Sequence, residues 1–234
     1  MNTDGLTLRQ AALIVVIGSL ATAIATPIAE FVIWPSLVVP DDIALTILNI
    51  GANDGLFLAA SFAYFVGFVG DVLIAWALYY LLRPVHQPLA LLTAGFRVVQ
   101  ALVAIGGVVH LFTAFRLLQT DALASLGENQ LQAQVQVLLR SFGYEWGLAL
   151  LIFGIHLCLL GYLVYRSGYI SRLVGVALAT AGAGYVVYHL KPYLYPDAQI
   201  GFVFAAFAGE LVFVVWLAIW GWRIPERRAT PGWR

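Results

Sequence analysis

Residues 56–82 read LFLAASFAYFVGFVGDVLIAWALYYLL, and Asp71 is the one formal charge in the run. A helix crosses a hydrocarbon core with roughly 20 mostly apolar residues, so this stretch is long enough. A lipid-facing barrel strand is about half as long and alternates in polarity, which this run does not. Five more stretches pass the same test, at about 11–33, 89–118, 142–165, 170–190 and 200–222. The sequence therefore predicts an all-α integral membrane helical bundle. It has six transmembrane helices in a single transmembrane domain over residues 1–234.

Composition agrees. Charged residues are 10% of the chain, against about 25% in an ordinary soluble domain. Apolar residues reach 62%, and the mean hydropathy is +0.91. A soluble fold of this size cannot bury so much apolar side chain, because its own surface must stay wet. Twelve basic residues balance twelve acidic ones, so no basic face exists for nucleic acid. The expected partner is the lipid bilayer, with no nucleic acid. Cys158 is the single cysteine, which excludes an intrachain disulfide.

The ends and connections set the topology. Leu13–Leu20 followed by Ala23-Ile24-Ala25 has the outline of a cleavable leader. Only Arg9 supplies a positive flank, Asp4 opposes it, and the apolar run continues to Trp34. A retained first span is expected, kinked near Pro27. With six spans both termini share one side. That side carries Arg9, Arg83, Arg166, Arg172, Arg223, Arg227, Arg228 and Arg234, and the other Arg116, Arg140 and Lys191. The excess predicts both termini cytoplasmic, in a cell inner membrane. Short connections at 84–88 and 167–169 make spans two and three, and four and five, antiparallel neighbours. In the connection 34–55, Asp41 or Asp42 is placed to cap a short helix over Ile43–Ile50. Gln130, Gln132, Gln134 and Gln136 alternate with apolar residues, yet Leu131, Val135, Leu138 and Phe142 keep helical spacing. An outward extension of span four is expected there. No internal repeat supports an inverted-repeat transporter.

The candidate site lies where lipid should be. At 1.5 Å per residue from the cytoplasmic end of each span, Arg97 is about 12 Å deep, His156 about 14 Å, Asp71 about 16 Å and Glu210 about 18 Å. Four helices thus place polar groups in one layer near the middle of a core about 30 Å thick. Each ionised residue there costs about 2.5–3.5 kcal/mol, so these side chains must face inward and find partners. The planar fork of Arg97 suits two carboxylates. The expected arrangement is Arg97 between Asp71 and Glu210, with His156 alongside. It reads as a ligand-binding or proton-linked site, or as a clamp that fixes helix register.

A shallower group, Glu30, His110, Arg116, Arg140, Glu145 and His189, faces the outer side. It reads as a solvated rim, or as a cavity mouth formed by His110, Glu145, His189 and Glu30. Trp34, Trp146, Tyr193 and Tyr195 fit an outer aromatic belt, and Trp220 and Trp222 an inner one. Gly143 and Gly147 match the small-xxx-small pattern of a close helix crossing.

Familiar catalytic signatures are missing. The sequence has no Walker A loop, no Rossmann glycine fingerprint, no Gly-x-Ser-x-Gly elbow and no His-Glu-x-x-His. No catalytic residue is assigned and no cofactor is expected. No metal is expected either, since Arg97 in the layer would repel a cation. Cys158 is two residues from His156 and so points to another helix face.

Several strings then stand out. They are Gly95-Phe96-Arg97, Phe153-Gly154-Ile155-His156-Leu157, and Gly161-Tyr162-Leu163-Val164-Tyr165-Arg166-Ser167-Gly168-Tyr169-Ile170. They continue with Arg172-Leu173-Val174-Gly175-Val176, Ala181-Gly182-Ala183-Gly184-Tyr185, Gly209-Glu210-Leu211 and Trp216-Leu217. Together they resemble the bacterial multi-pass membrane family filed as domain of unknown function 4386. The likeness runs from about Leu56 to Trp222 and is densest over Phe153–Tyr185. Ser171 stands where that family usually has proline. The resemblance implies a multi-pass helical bundle in a bacterial membrane, with motif positions at Arg97, His156 and Glu210. It implies no reaction.

The expected function is a binding or transport-like protein, with a mid-membrane polar site for a small polar or amphipathic ligand. The alternatives are an intramembrane enzyme acting on a lipid or isoprenoid, and a structural or partner-binding subunit held by a polar clamp.

Overall fold

The computed structural model describes residues 6–120, 127–200 and 208–226. Every regular element in them is a helix. α1 spans Leu8–Ile28 and runs into a π-helical turn at Ala29–Ile33 and a short α2 at Trp34–Leu37. α3 is Ile43–Ala52. The helical segment Asp54–Gln119 is broken at His86, whose backbone is extended (φ −162°, ψ 97°). The parts are α4 (54–85) and α5 (87–119). α6 is Glu128–Ser167, α7 Arg172–Leu194 and α8 Ala208–Trp220. Four stretches, Leu8–Leu37, Asp54–Gln119, Glu128–Ser167 and Arg172–Leu194, are long and apolar enough to cross a membrane. The second contains both α4 and α5. The sixth expected span falls partly on residues 201–207, outside the described residues.

Local chemistry explains the boundaries. Pro84 and Pro88 bracket the break at His86, and neither has an N–H for the helix ladder. The Leu89 N–H is instead donated to His86 Nδ1 at 3.2 Å, which caps the start of α5. Asp42 caps α3, its Oδ1 accepting the Leu45 N–H at 2.9 Å. Gln130, Gln132, Gln134 and Gln136 lie in α6, so helical spacing prevails over alternation. Pro27, where a kink is expected, lies inside α1, and the winding changes just after it. Proline withholds one donor from the ladder, and a wider five-residue turn begins two residues later, at Ala29.

The chain groups into two units. The first comprises Met1–Leu20, Gly70–Ala101 and Leu148–Arg234. Its core takes Val15 from α1, Ile74 from α4, Leu157 from α6, Leu178 from α7 and Phe213 from α8. Within it α6 and α7 meet almost backbone to backbone. A Cβ added to Gly161 would lie 2.6 Å from the Gly175 carbonyl oxygen, and one on Gly182 2.6 Å from that of Gly154. The pairs 161–175 and 154–182 have the same sum, so the two helices run antiparallel. α8 seats on α7 in the same manner, a Cβ at Gly209 running into the Ala177 carbonyl oxygen. At the α6–α7 turn Gly168 takes φ +73°, a conformation that favours glycine. Beside it the Tyr169 hydroxyl donates to the Leu81 carbonyl oxygen, and burial pushes that phenol above its ordinary range.

The second unit comprises Ala21–Val69 and Leu102–Gly147. Phe57 stacks on Phe115 at 6.4 Å, and Phe62 meets Phe112 edge-on at 5.0 Å. These pairs make the helical segments antiparallel neighbours, as the short connection at 84–88 leads one to expect. The Tyr64 ring lies 5.1 Å from Phe142 and 5.0 Å from Trp146, with Trp34 5.4 Å from Phe142.

The small-xxx-small match at Gly143 requires a correction. A Cβ on Gly143 would meet nothing within 4 Å, so its missing side chain seats no helix crossing. The close backbone contacts belong to Gly154, Gly161, Gly175, Gly182 and Gly209. Opposite outcomes are therefore expected for one chemical change. Gly161→Ala forces backbone apart and lowers stability by about 1–3 kcal/mol. Gly143→Ala raises stability by up to about 1 kcal/mol, because alanine costs less backbone entropy in a helix. Thermal unfolding of both variants in detergent measures the difference.

Candidate functional site

All four residues of the expected polar layer lie in the first unit, on four helices: Asp71 on α4, Arg97 on α5, His156 on α6 and Glu210 on α8. Arg97 is 5% exposed, Asp71 9% and His156 0%. Arg97 Nη2 donates to Asp71 Oδ1 at 2.6 Å. Its Nη1 lies 3.5 Å from His156 Nε2, and the His156 Nδ1 lies 2.8 Å from the Thr93 carbonyl oxygen. A carbonyl only accepts and a guanidinium only donates. The partners therefore assign the imidazole hydrogen to Nδ1 and the lone pair to Nε2. The Arg97 guanidinium carbon also sits 5.2 Å from the Phe153 ring centre, and that ring stacks on His156.

The arrangement departs from expectation at one member. Among the described residues Arg97 forms no ion pair with Glu210. Glu210 instead lines, together with Arg97 and Ser19, a small void walled by leucines and Phe213. The void is about 10 Å³, room for about one water molecule. Two buried polar atoms here have no hydrogen-bond partner, Arg97 Nε and Gln100 Oε1. Gln100 is 3% exposed and follows Arg97 by three residues, so it shares that helix face. Buried polar atoms almost always find partners. The two here lie three residues apart on one face of α5, and one of them belongs to the arginine that lines the void.

The sequence alone singles out neither Thr93 nor Gln100, and it gives Phe153 only as the start of a string shared with the family. Helical spacing carries the signal, since Thr93 and Gln100 lie four residues before and three after Arg97, and Phe153 lies three before His156. Cys158 takes another direction, its Sγ donating to the Ala179 carbonyl oxygen at 3.7 Å. That separation from His156 follows from the two-residue offset.

The shallower residues divide between the units. In the first, His189 stacks on Tyr185 with ring centres 6.1 Å apart. In the second, His110 Nε2 lies 3.0 Å from Glu145 Oε1. Gly107 makes room for this pair, as a Cβ there would lie 3.3 Å from the Glu145 side chain. Glu30 accepts the Tyr64 hydroxyl at 2.6 Å. It also lines a cavity of about 370 Å³ with Trp34, Asp41, Asp42, Arg140 and Trp146. Trp34 and Trp146, expected in an aromatic belt, are thus walls of a cavity.

Fold and site together define a chain whose described residues are helical, with four helical stretches fit to cross a membrane and a buried Arg–Asp pair in one unit. The chain belongs to the family described as Domain of unknown function (DUF4386), which matches residues 17–221. It is also similar to an uncharacterized protein of Archaeoglobus fulgidus, 35% identical over 161 residues. That match spans 69% of this chain and 83% of the relative. The relative is archaeal, so similar chains are not confined to bacteria. No solved structure matches.

A stability test follows from the ion pair. Arg97→Met strands the Asp71 carboxylate in a dry interior and is expected to cost about 3–5 kcal/mol. Arg97→Met with Asp71→Leu removes both charges and is expected to recover most of that loss. Denaturant unfolding of the two variants beside the parent chain gives the coupling directly.

Proposed function

We propose that this chain is a six-span inner-membrane protein of binding or transport-like type, with both termini cytoplasmic. Its working site is the polar layer of Arg97, Glu210, His156 and Asp71, which takes a small polar or amphipathic ligand. The observation that carries the reading is the unsaturated face of Arg97. Its Nε is buried without a partner, as is the Oε1 of Gln100 three residues further along the helix, and Arg97 shares a void with Glu210. Charges inside a membrane are costly, and chains that keep them generally use them. The void at about 10 Å³ is smaller than any organic ligand. A transport-like cycle therefore has to part the surrounding helices, which favours it over a rigid, permanently open site.

One observation favours a second reading. The 2.6 Å contact between Arg97 and Asp71 is closed, as a register clamp requires. A clamp holds α4 to α5 without taking any ligand.

Native mass spectrometry of the gently purified chain separates the two. For a binding protein, the parent carries a discrete adduct that Glu210→Gln loses while keeping its fold. Its mass then gives the ligand class. Bare spectra for both chains favour the clamp. So does retained function in a folded Arg97→Met, Asp71→Asn, Glu210→Gln triple variant.

A further inference from the structure

The second unit contains a cavity that the polar layer does not use. Its volume, about 370 Å³, falls within the range of small-molecule sites, roughly 300–1,000 Å³. Two indoles, Trp34 and Trp146, form part of its wall, beside Phe142. The Phe142 ring centre is 5.4 Å from Trp34 and 5.6 Å from Trp146, so the aromatic wall is continuous.

The charges on this wall are unmatched. Glu30, Asp41 and Asp42 face it with Arg140. Among the described residues, none of these four forms an ion pair within 4.0 Å. Asp42 is engaged as the cap of α3 through its Oδ1. Glu30 is half-buried, and its Oε2 accepts the Tyr64 hydroxyl, which fixes the carboxylate at the wall without neutralising it. Arg140 is exposed at the same cavity. A carboxylate and a guanidinium that share one cavity but do not meet suit a molecule charged oppositely at its two ends. Indole faces attract cations, quaternary ammonium above all. Guanidinium binds phosphate and carboxylate through its planar fork.

We propose that this cavity binds a zwitterion, its ammonium end held by Glu30 between Trp34 and Trp146 and its anionic end by Arg140. The shared chemistry is that of an ammonium-bearing phosphodiester or phosphomonoester, from a lipid headgroup or from a free solute. The site is independent of Arg97 and stands or falls without it.

The test uses the full chain in nanodiscs of phosphatidylglycerol, which supplies no ammonium group. Calorimetric titration compares phosphocholine, choline and inorganic phosphate. Phosphocholine is expected to bind, choline more weakly, and phosphate not at all. Glu30→Gln keeps an oxygen for the Tyr64 hydroxyl and so preserves the wall. It is expected to weaken phosphocholine by about tenfold or more, as loss of a charge-assisted contact does. Arg140→Gln is expected to weaken phosphocholine and leave choline unchanged, and Trp146→Phe to weaken both. Phosphatidylcholine in the disc then tells the source. Competition with added phosphocholine points to a headgroup occupant, and its absence to a free solute. The proposal is overturned if phosphocholine fails to bind the parent chain, binds no better than choline, or binds Glu30→Gln equally well.

Discussion

A guanidinium cannot stand alone in a dry interior, and α4, α5 and α6 are tied together by the answer to that problem. Arg97 reaches Asp71 on one side and His156 on the other. His156 in turn is held by the carbonyl of Thr93, one turn back along the Arg97 helix. Each contact dictates the next. The Thr93 carbonyl accepts only, so it orients the imidazole and turns its lone pair toward Arg97. The Phe153 ring closes the open face of both groups. The pair need not add net stability, because desolvating two ions costs about as much as their attraction returns. Its effect is on arrangement, since sliding any of these helices by a turn would separate a charge from its partner.

The void beside Arg97 and Glu210 follows from the same geometry. One carboxylate satisfies one arm of the fork, and the remaining donors have no second acid within ion-pair reach. A unit built only for stability would fill such a space with a methyl group, because packed interiors hold few voids. Here a carboxylate, a hydroxyl and a guanidinium line it instead. That choice of residues underlies the functional reading.

Much of this could be read from the sequence, because hydrophobic length and depth are one-dimensional. The apolar runs locate the long helices, and counting residues along each run places Asp71, Arg97 and His156 at similar heights. A cap at Asp41 or Asp42 was legible from their position ahead of an apolar run, and the structure gives the role to Asp42. Partner choice was not. Glu210 has the right depth to meet Arg97, yet the direction in which α8 presents it depends on how Gly209 seats against Ala177. The glycine crossing of α6 and α7 was hidden for a different reason. With 22 glycines in the chain, a spacing match carries little information, and Gly143 fits the pattern without a crossing. Trp34 and Trp146 read as interfacial because amphipathic rings belong there. Only the packing of Phe142 between them shows a cavity wall.

The segment that most marks the family, Gly161 through Ile170, is occupied with architecture. Gly161 admits α7, Gly168 turns the chain, and Tyr169 fastens the turn to α4. Interlocked backbones of this kind leave α6 and α7 without a neighbouring register to move into. A shift of one turn would bring a side chain against a carbonyl at Gly161 and again at Gly182. The hairpin therefore acts as a fixed post. Widening of the space around Arg97 and Glu210 then falls to α1 and α4, which line it through the side chains of Val15, Ser19, Ile74 and Leu78 rather than through bare backbone.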